Sequence, residues 1–226
     1  MNLKEHYEAL YTESVAKIKS GNIHVDDLID SPADKRYGLT LRIRPDSIVT
    51  RTILDFLKQL HRIDPDQYYY RESDIHITVM SIVSCYNGFD LQRIAIQDYI
   101  RLIEQSISTA KNVTVRFTGI TSSPSCIMIQ GFPVDTVLNE IRDNLRSNFK
   151  NSDLEQSIDK RYAIQTAHST VVRFRKPLTK TDEYIKVMEI YRNHDFGTLR
   201  TNTLELVHND WYHRTERIKQ LYKFSL

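Results

Sequence analysis

The chain has 226 residues with 40% hydrophobic and 27% charged residues, which excludes a disordered chain and leaves room for one large domain with a substantial core. A formal net charge of +2 excludes the broad basic field of a duplex-DNA binder. Two cysteines, Cys85 and Cys126, make neither a disulfide framework nor a zinc motif.

The first segment, 2–20, predicts a helix. Leu3, Tyr7, Leu10, Tyr11, Val15 and Ile18 recur at three- and four-residue spacing, and Gly21 stops the run. The stretch 22–36, with Asp26, Asp27, Asp30, Ser31 and Pro32, has the composition of a linker. The expected division is a helical extension over 1–36 and a main domain of two lobes over 37–226. From Tyr37 to Arg44 apolar and polar residues alternate, so Leu39, Leu41 and Ile43 face a core while Thr40 and Arg42 face the other way. Pro45-Asp46-Ser47 opens a helix running to about His61. A strand is expected over about 68–84, and an amphipathic helix over 90–109. Strands at 113–120 and 125–131 form a hairpin, and a helix follows from about Asp135 to Phe149. A loop at 150–159, a strand over about 161–175, a helix at 180–193 and two strands near 198–208 and 214–224 complete the pattern.

Two of these strands carry related tripeptides, His76-Ile77-Thr78 and His168-Ser169-Thr170, 168 − 76 = 92 residues apart. In an extended chain residues two apart share a face, so each His points the same way as its Thr. Each tripeptide also follows a proline that ends a strand and precedes a helix: Pro45 lies 31 residues before His76, and Pro133 lies 35 before His168. A strand–helix–strand–helix unit thus occurs twice, which predicts two pseudo-symmetric lobes with His76 opposite His168 across a groove. Two imidazoles near neutrality can remove a proton from a nucleophile and deliver one to a leaving oxygen, while adjacent hydroxyls hold phosphate oxygens.

These paired motifs, each flanked by apolar residues, resemble the HxT/S signature of the 2H phosphoesterase superfamily, which includes RNA 2′-5′ ligase-like proteins and cyclic phosphodiesterases. The resemblance covers about 37–226. It implies a bilobal α+β fold in which two antiparallel sheets line a central cleft with helices outside. It implies catalysis by His76 and His168, phosphate binding by Thr78 and Thr170, and no metal or other cofactor. The implied reaction is hydrolysis of a 2′,3′-cyclic phosphate or a 2′-5′ linkage. The alternatives are a nucleotide-binding module with the same cleft and little turnover, or an RNA-end processing enzyme or ligase on polymers.

Tyr37, Thr40, Arg42 and Tyr162 are expected as further substrate contacts, with packing or a solvated strand face as the competing role for each. Arg173 and Arg175, opposite in parity to His168, are expected to face away from the cleft. His208, Tyr212 and His213 fall at the join of the last two strands and read as turn or core, with a contact at the cleft edge as the alternative. The expected partner is a nucleotide or short oligonucleotide, with no duplex DNA and no membrane. The N-terminus lacks the apolar run of a signal peptide and no apolar stretch approaches a membrane span, so the expectation is a cytoplasmic monomer.

Overall fold

The computed structural model describes residues 2–161 and 163–226, so the expected contact Tyr162 lies outside the described residues. Among the described residues there are five helices, α1 Leu3–Lys19, α2 Ser47–Ile63, α3 Ile96–Ile107, α4 Val137–Lys150 and α5 Thr181–Tyr191. The strands are β1 Arg36–Ile43, β2 Tyr68–Tyr69, β3 Ile77–Asn87, β4 Val113–Ser123, β5 Cys126–Pro133, β6 Ser169–Arg173, β7 Asp195–Thr201, β8 Thr203–Asp210 and β9 Lys219–Ser225. They form two sheets, β3-β1-β8-β9 and β2-β6-β5-β4-β7, in which every ladder is antiparallel. This is the expected α+β architecture of two antiparallel sheets.

Two of the five helices, α1 and α2, start on a side-chain cap. Asn2 accepts hydrogen bonds from the Lys4 and Glu5 amides at the start of α1, and Asp46 from the Ile48 and Val49 amides at the start of α2. The apolar face of α2 (Val49, Ile53, Phe56, Leu57, Leu60) is 3% exposed or less. It packs on β7 and α5, in the five-stranded sheet, although α2 follows β1 of the other sheet in sequence. Reciprocally, α4 follows β5 but lies against β3 and α3. The lobes therefore exchange helices, and the sequence halves are not the spatial halves.

Three predicted strands are corrected. The segment 68–84 is two strands in different sheets: β2 pairs with β6, and a turn at Glu72–Asp74 carries the chain across to β3. Asp74 Oδ1 holds that turn, accepting from the Ser73 hydroxyl and from the Thr215 amide and hydroxyl. Among the described residues of 161–175 the only strand is the short β6. The segment 198–208 is split between sheets: Phe196 and Leu199 of β7 are buried in one lobe and Leu204 and Leu206 of β8 in the other, so Asn202 at the join crosses between them.

Both strands that follow the histidines carry a bulge. Arg42 pairs with Thr78 but Leu41 with Met80, so Val79 is the extra residue of β3. Met128 pairs with Thr170 but Ile127 with Val172, so Val171 is the extra residue of β6. A bulge inserts one residue and resets the alternation. Val79, Met80, Val171 and Val172 are all buried, while Thr78 and Ser81, and likewise Thr170 and Arg173, come to the same face.

Candidate active site

Residues 76 and 168 sit just before β3 and β6, at the point where the two sheets approach each other. His76 is 8% exposed. Its Nδ1 lies 2.7 Å from the Asp74 carbonyl oxygen, which can only accept, so Nδ1 carries the proton and Nε2 is the nitrogen left for chemistry. His168 is half-buried, with Nδ1 2.7 Å from the Thr166 hydroxyl oxygen. Burial pushes both imidazoles down from 6.5 to about 4; the Arg42 charge adds to this at His76, and those of Arg142 and Arg173 at His168. The two rings also lie close enough for a charge on His168 to disfavour one on His76.

Two ties hold the motifs together. The Ser169 hydroxyl, fully buried, donates to the His76 carbonyl at 2.8 Å, so the middle residue of the second tripeptide anchors the first. The second tie is Arg142. Its guanidinium leaves α4 and is 1% exposed; Nε donates to the Val79 carbonyl at 3.0 Å, and Nη2 to those of Thr78 at 3.0 Å and Thr166 at 2.8 Å. Burial pushes Arg142 down to about 10, which leaves it charged at neutral pH. Gly131 of β5 permits the close approach of the second motif: a Cβ there would lie 2.0 Å from the Ala167 carbonyl oxygen.

Two chambers open from this point. A polar one of about 150 Å³ is lined by His76, Thr78, His168 and Thr170 together with Thr40, Tyr70, Ser81, Arg173, Trp211 and His213, among others. A second of about 270 Å³, more apolar, lies on the far side of Thr78, Ile164 and His168, which border both. The four motif residues are thus brought to one cavity. Of the other expected contacts, Thr40 lines it as well. Tyr37 stacks on His208 at 4.9 Å and Arg42 pairs with Glu205 at 3.0 Å, and neither lines a chamber. Arg173 does line the polar chamber, against the parity expectation, because the bulge at Val171 turns it inward; its Nε donates to the Tyr70 hydroxyl at 3.0 Å. Arg175 points away as expected and pairs with Asp30.

His213, read from the sequence as turn or core with a contact at the cleft edge as the alternative, is buried at a turn and lines the polar chamber. Its ring stacks on His76 at 3.9 Å between centroids, tilted by 27°, on a backbone with φ 58°. The Asn209 amide, whose other bond goes to the Asp210 carbonyl at 2.9 Å, donates to His213 Nε2 at 3.0 Å. Burial holds His213 well below 6.5, so the ring facing His76 is neutral. A non-glycine residue at positive φ is costly and is retained where its surroundings demand it. Sequence reasoning passed over Trp211, although it is the single Trp of the chain; it lies between the guanidinium groups of Arg36 and Arg161, each 4.8 Å from the ring. Among the described residues no group of three or more His, Cys, Asp or Glu side chains is placed to hold a metal ion.

The polar chamber gathers the imidazoles of His76, His168 and His213, the hydroxyls of Thr78 and Thr170 and the guanidinium groups of Arg161 and Arg173 around a cavity of about 150 Å³. Solved structures share this fold. The chain is similar to Escherichia coli LigT in complex with 3′-AMP, with 11% identity, a TM-score of 0.57, and coverage of 85% of this chain and 99% of that one. It is similar to TT0787 of Thermus thermophilus (15% identity, TM-score 0.55, covering 83% and 97%). A structure described as a phosphoesterase matches at 12% identity with a TM-score of 0.55, covering 85% and 99%. No family model matches the sequence, and no curated protein does. The fold is therefore that of the 2H phosphoesterases. No helix among the described residues is long and apolar enough to cross a membrane.

Proposed function

We propose that this protein is a metal-independent phosphodiesterase acting on a nucleotide or RNA-end phosphodiester, a 2′,3′-cyclic phosphate or a 2′-5′ linkage, by two-histidine acid–base catalysis. The observation that carries this reading is the convergence of His76, Thr78, His168 and Thr170 on one cavity, with His76 Nδ1 committed to the Asp74 carbonyl and its Nε2 left free. Thr78 and Thr170 hold the non-bridging oxygens of the phosphate, and Arg173 adds positive charge beside them. Burial holds both imidazoles near 4, so both are neutral at neutral pH. A bound phosphate anion favours protonation of one of them, which creates the acid and base pair the reaction needs. One imidazole then takes a proton from water or a ribose hydroxyl as that oxygen attacks phosphorus. The other gives its proton to the departing ester oxygen. The likeness in fold to LigT, crystallised with 3′-AMP, supports a nucleotide as the substrate class. The protein works in this reading as a cytoplasmic monomer on a nucleotide or short oligonucleotide.

The test is product analysis on 2′,3′-cyclic and 3′,5′-cyclic mononucleotides and on 2′-5′ and 3′-5′ dinucleotides, with EDTA present. Turnover that resists EDTA and falls at least a hundredfold in both His76→Ala and His168→Ala is expected, in line with the ~10²–10⁴-fold contribution of a positioned acid or base. Turnover that survives loss of both histidines would sink the proposal.

A further inference from the structure

The two chambers differ in chemistry and meet at the phosphate position. The polar chamber holds His76, Arg173 and several hydroxyls; the other is walled by Tyr7 and Leu10 of α1, by Met128 of β5, and by Ile164. None of its described lining residues is Lys or Arg, and apart from Tyr7 and from Thr78 and His168 at the border its polar side chains are His6, Gln165 and Thr166. The helix α1 is thus more than a buttress on β4. Tyr7 and Tyr11 anchor it, 1% and 2% exposed, and the Tyr7 hydroxyl donates to the Gly131 carbonyl at 3.2 Å, beside the second motif. Leu10, on the same helix, is half-buried and faces the cavity rather than the sheet.

A phosphodiester has two ester oxygens on one tetrahedral phosphorus, and in a displacement the attacking and leaving oxygens are roughly in line. A phosphate seated between Thr78 and Thr170 therefore sends its substituents to different sides. A 2′,3′-cyclic mononucleotide closes both ester oxygens onto one ribose and has only one arm to place. It leaves a chamber of about 270 Å³, larger than the one that holds the polar groups, without an occupant. Water is held poorly by apolar walls with few partners. A nucleobase, apolar on both faces and polar at its edge, matches such walls.

Resting on the phosphodiesterase reading above, we propose that the apolar chamber seats the second nucleoside of a linear phosphodiester, with α1 as its wall. The occupant is an uncharged nucleoside arm, because no Lys or Arg among the described residues lines the chamber to meet a further phosphate. The substrate class is then a dinucleotide, or the terminal nucleoside of an oligonucleotide. Leu10, Met128 and Ile164 hold the faces of the base, and Gln165 meets its polar edge. His168, which borders both chambers while His76 borders only the polar one, serves the ester oxygen of the arm seated there.

The experiment compares kcat/KM for a 2′-5′ dinucleotide and a 2′,3′-cyclic mononucleotide in the wild type, Leu10→Trp and Gln165→Trp. The wild type is expected to favour the linear diester. Each indole fills the chamber, so the ratio of linear to cyclic kcat/KM should fall at least tenfold. Gln165 is exposed, so its variant keeps the test available if Leu10→Trp fails to fold, which circular dichroism reports. A ratio unmoved by a folded variant overturns the proposal, as does a wild type that turns over only the cyclic compound, which leaves the two-histidine reading standing. Turnover of neither compound overturns both.

Discussion

Replacing Arg142 by Met removes the clamp on both motifs while keeping a long unbranched side chain. The guanidinium makes three hydrogen bonds to the carbonyls of Thr78, Val79 and Thr166. At roughly 1.5–3 kcal/mol for each bond to a charged group, their gross worth is about 4–9 kcal/mol. Against this stands the cost of burying the charge. The fall of its pKa from 12.5 to about 10 corresponds, at about 1.4 kcal/mol per pH unit, to roughly 3 kcal/mol. The balance is a net loss of about 1–6 kcal/mol, which at roughly 2–4 °C per kcal/mol for a chain of this length lowers Tm by about 2–24 °C. Urea unfolding measures the first figure and calorimetry the second. Arg142→Lys should recover only part of the loss, since a single ammonium cannot reproduce the forked geometry. In whatever diester the enzyme cleaves, kcat should fall about a hundredfold more than KM rises, because a misplacement of about 1 Å at the reacting groups costs roughly that much. A folded Arg142→Met protein within about 0.5 kcal/mol of wild type, the range of ordinary surface changes, would refute the reasoning.

Acid sensitivity follows from the two depressed histidines. Between pH 6.5 and about 4 the unfolded chain takes up protons at both positions and the folded one does not, so stability falls as pH drops through that window and levels off below it. The slope from the pair should approach roughly 2–3 kcal/mol per pH unit, and the double variant His76→Gln, His168→Gln should remove that part of it, leaving the contribution of His213, which is also held below 6.5; a wild-type curve already flat there contradicts the assigned protonation. His213→Asn tests the stacked ring, since Asn tolerates the positive φ that His213 adopts. One face of His76 then opens to water, and its pKa should move up from about 4 toward 6.5 in an NMR titration. An unchanged titration would mean that the stack does not shield His76.

Much of the candidate site is legible in the sequence because it rests on local periodicity. A two-residue repeat places His76 with Thr78 and His168 with Thr170 without knowledge of any partner strand, and a 3.6-residue repeat places the buried faces of α1 and α3. The repeated proline–helix–histidine unit goes one step further and predicts that two lobes meet. The rest depends on what lies opposite in space. The bulge at Val171 exists because β6 must pair with β5 past an extra residue, and that alone turns Arg173 into the cleft. Asn202 divides what reads as one strand because its two sides bury apolar residues in different sheets. Arg142 binds carbonyls 63, 64 and 24 residues away, and a backbone carbonyl carries no side-chain signature by which a sequence could announce its need for a donor. His213 reaches His76 only through a positive φ at a turn that the tertiary contacts impose. Local pattern, then, determined which residues the candidate site is built from. Tertiary packing alone decided how they are clamped, which face of His76 is covered, and that α1 forms the wall of a second chamber.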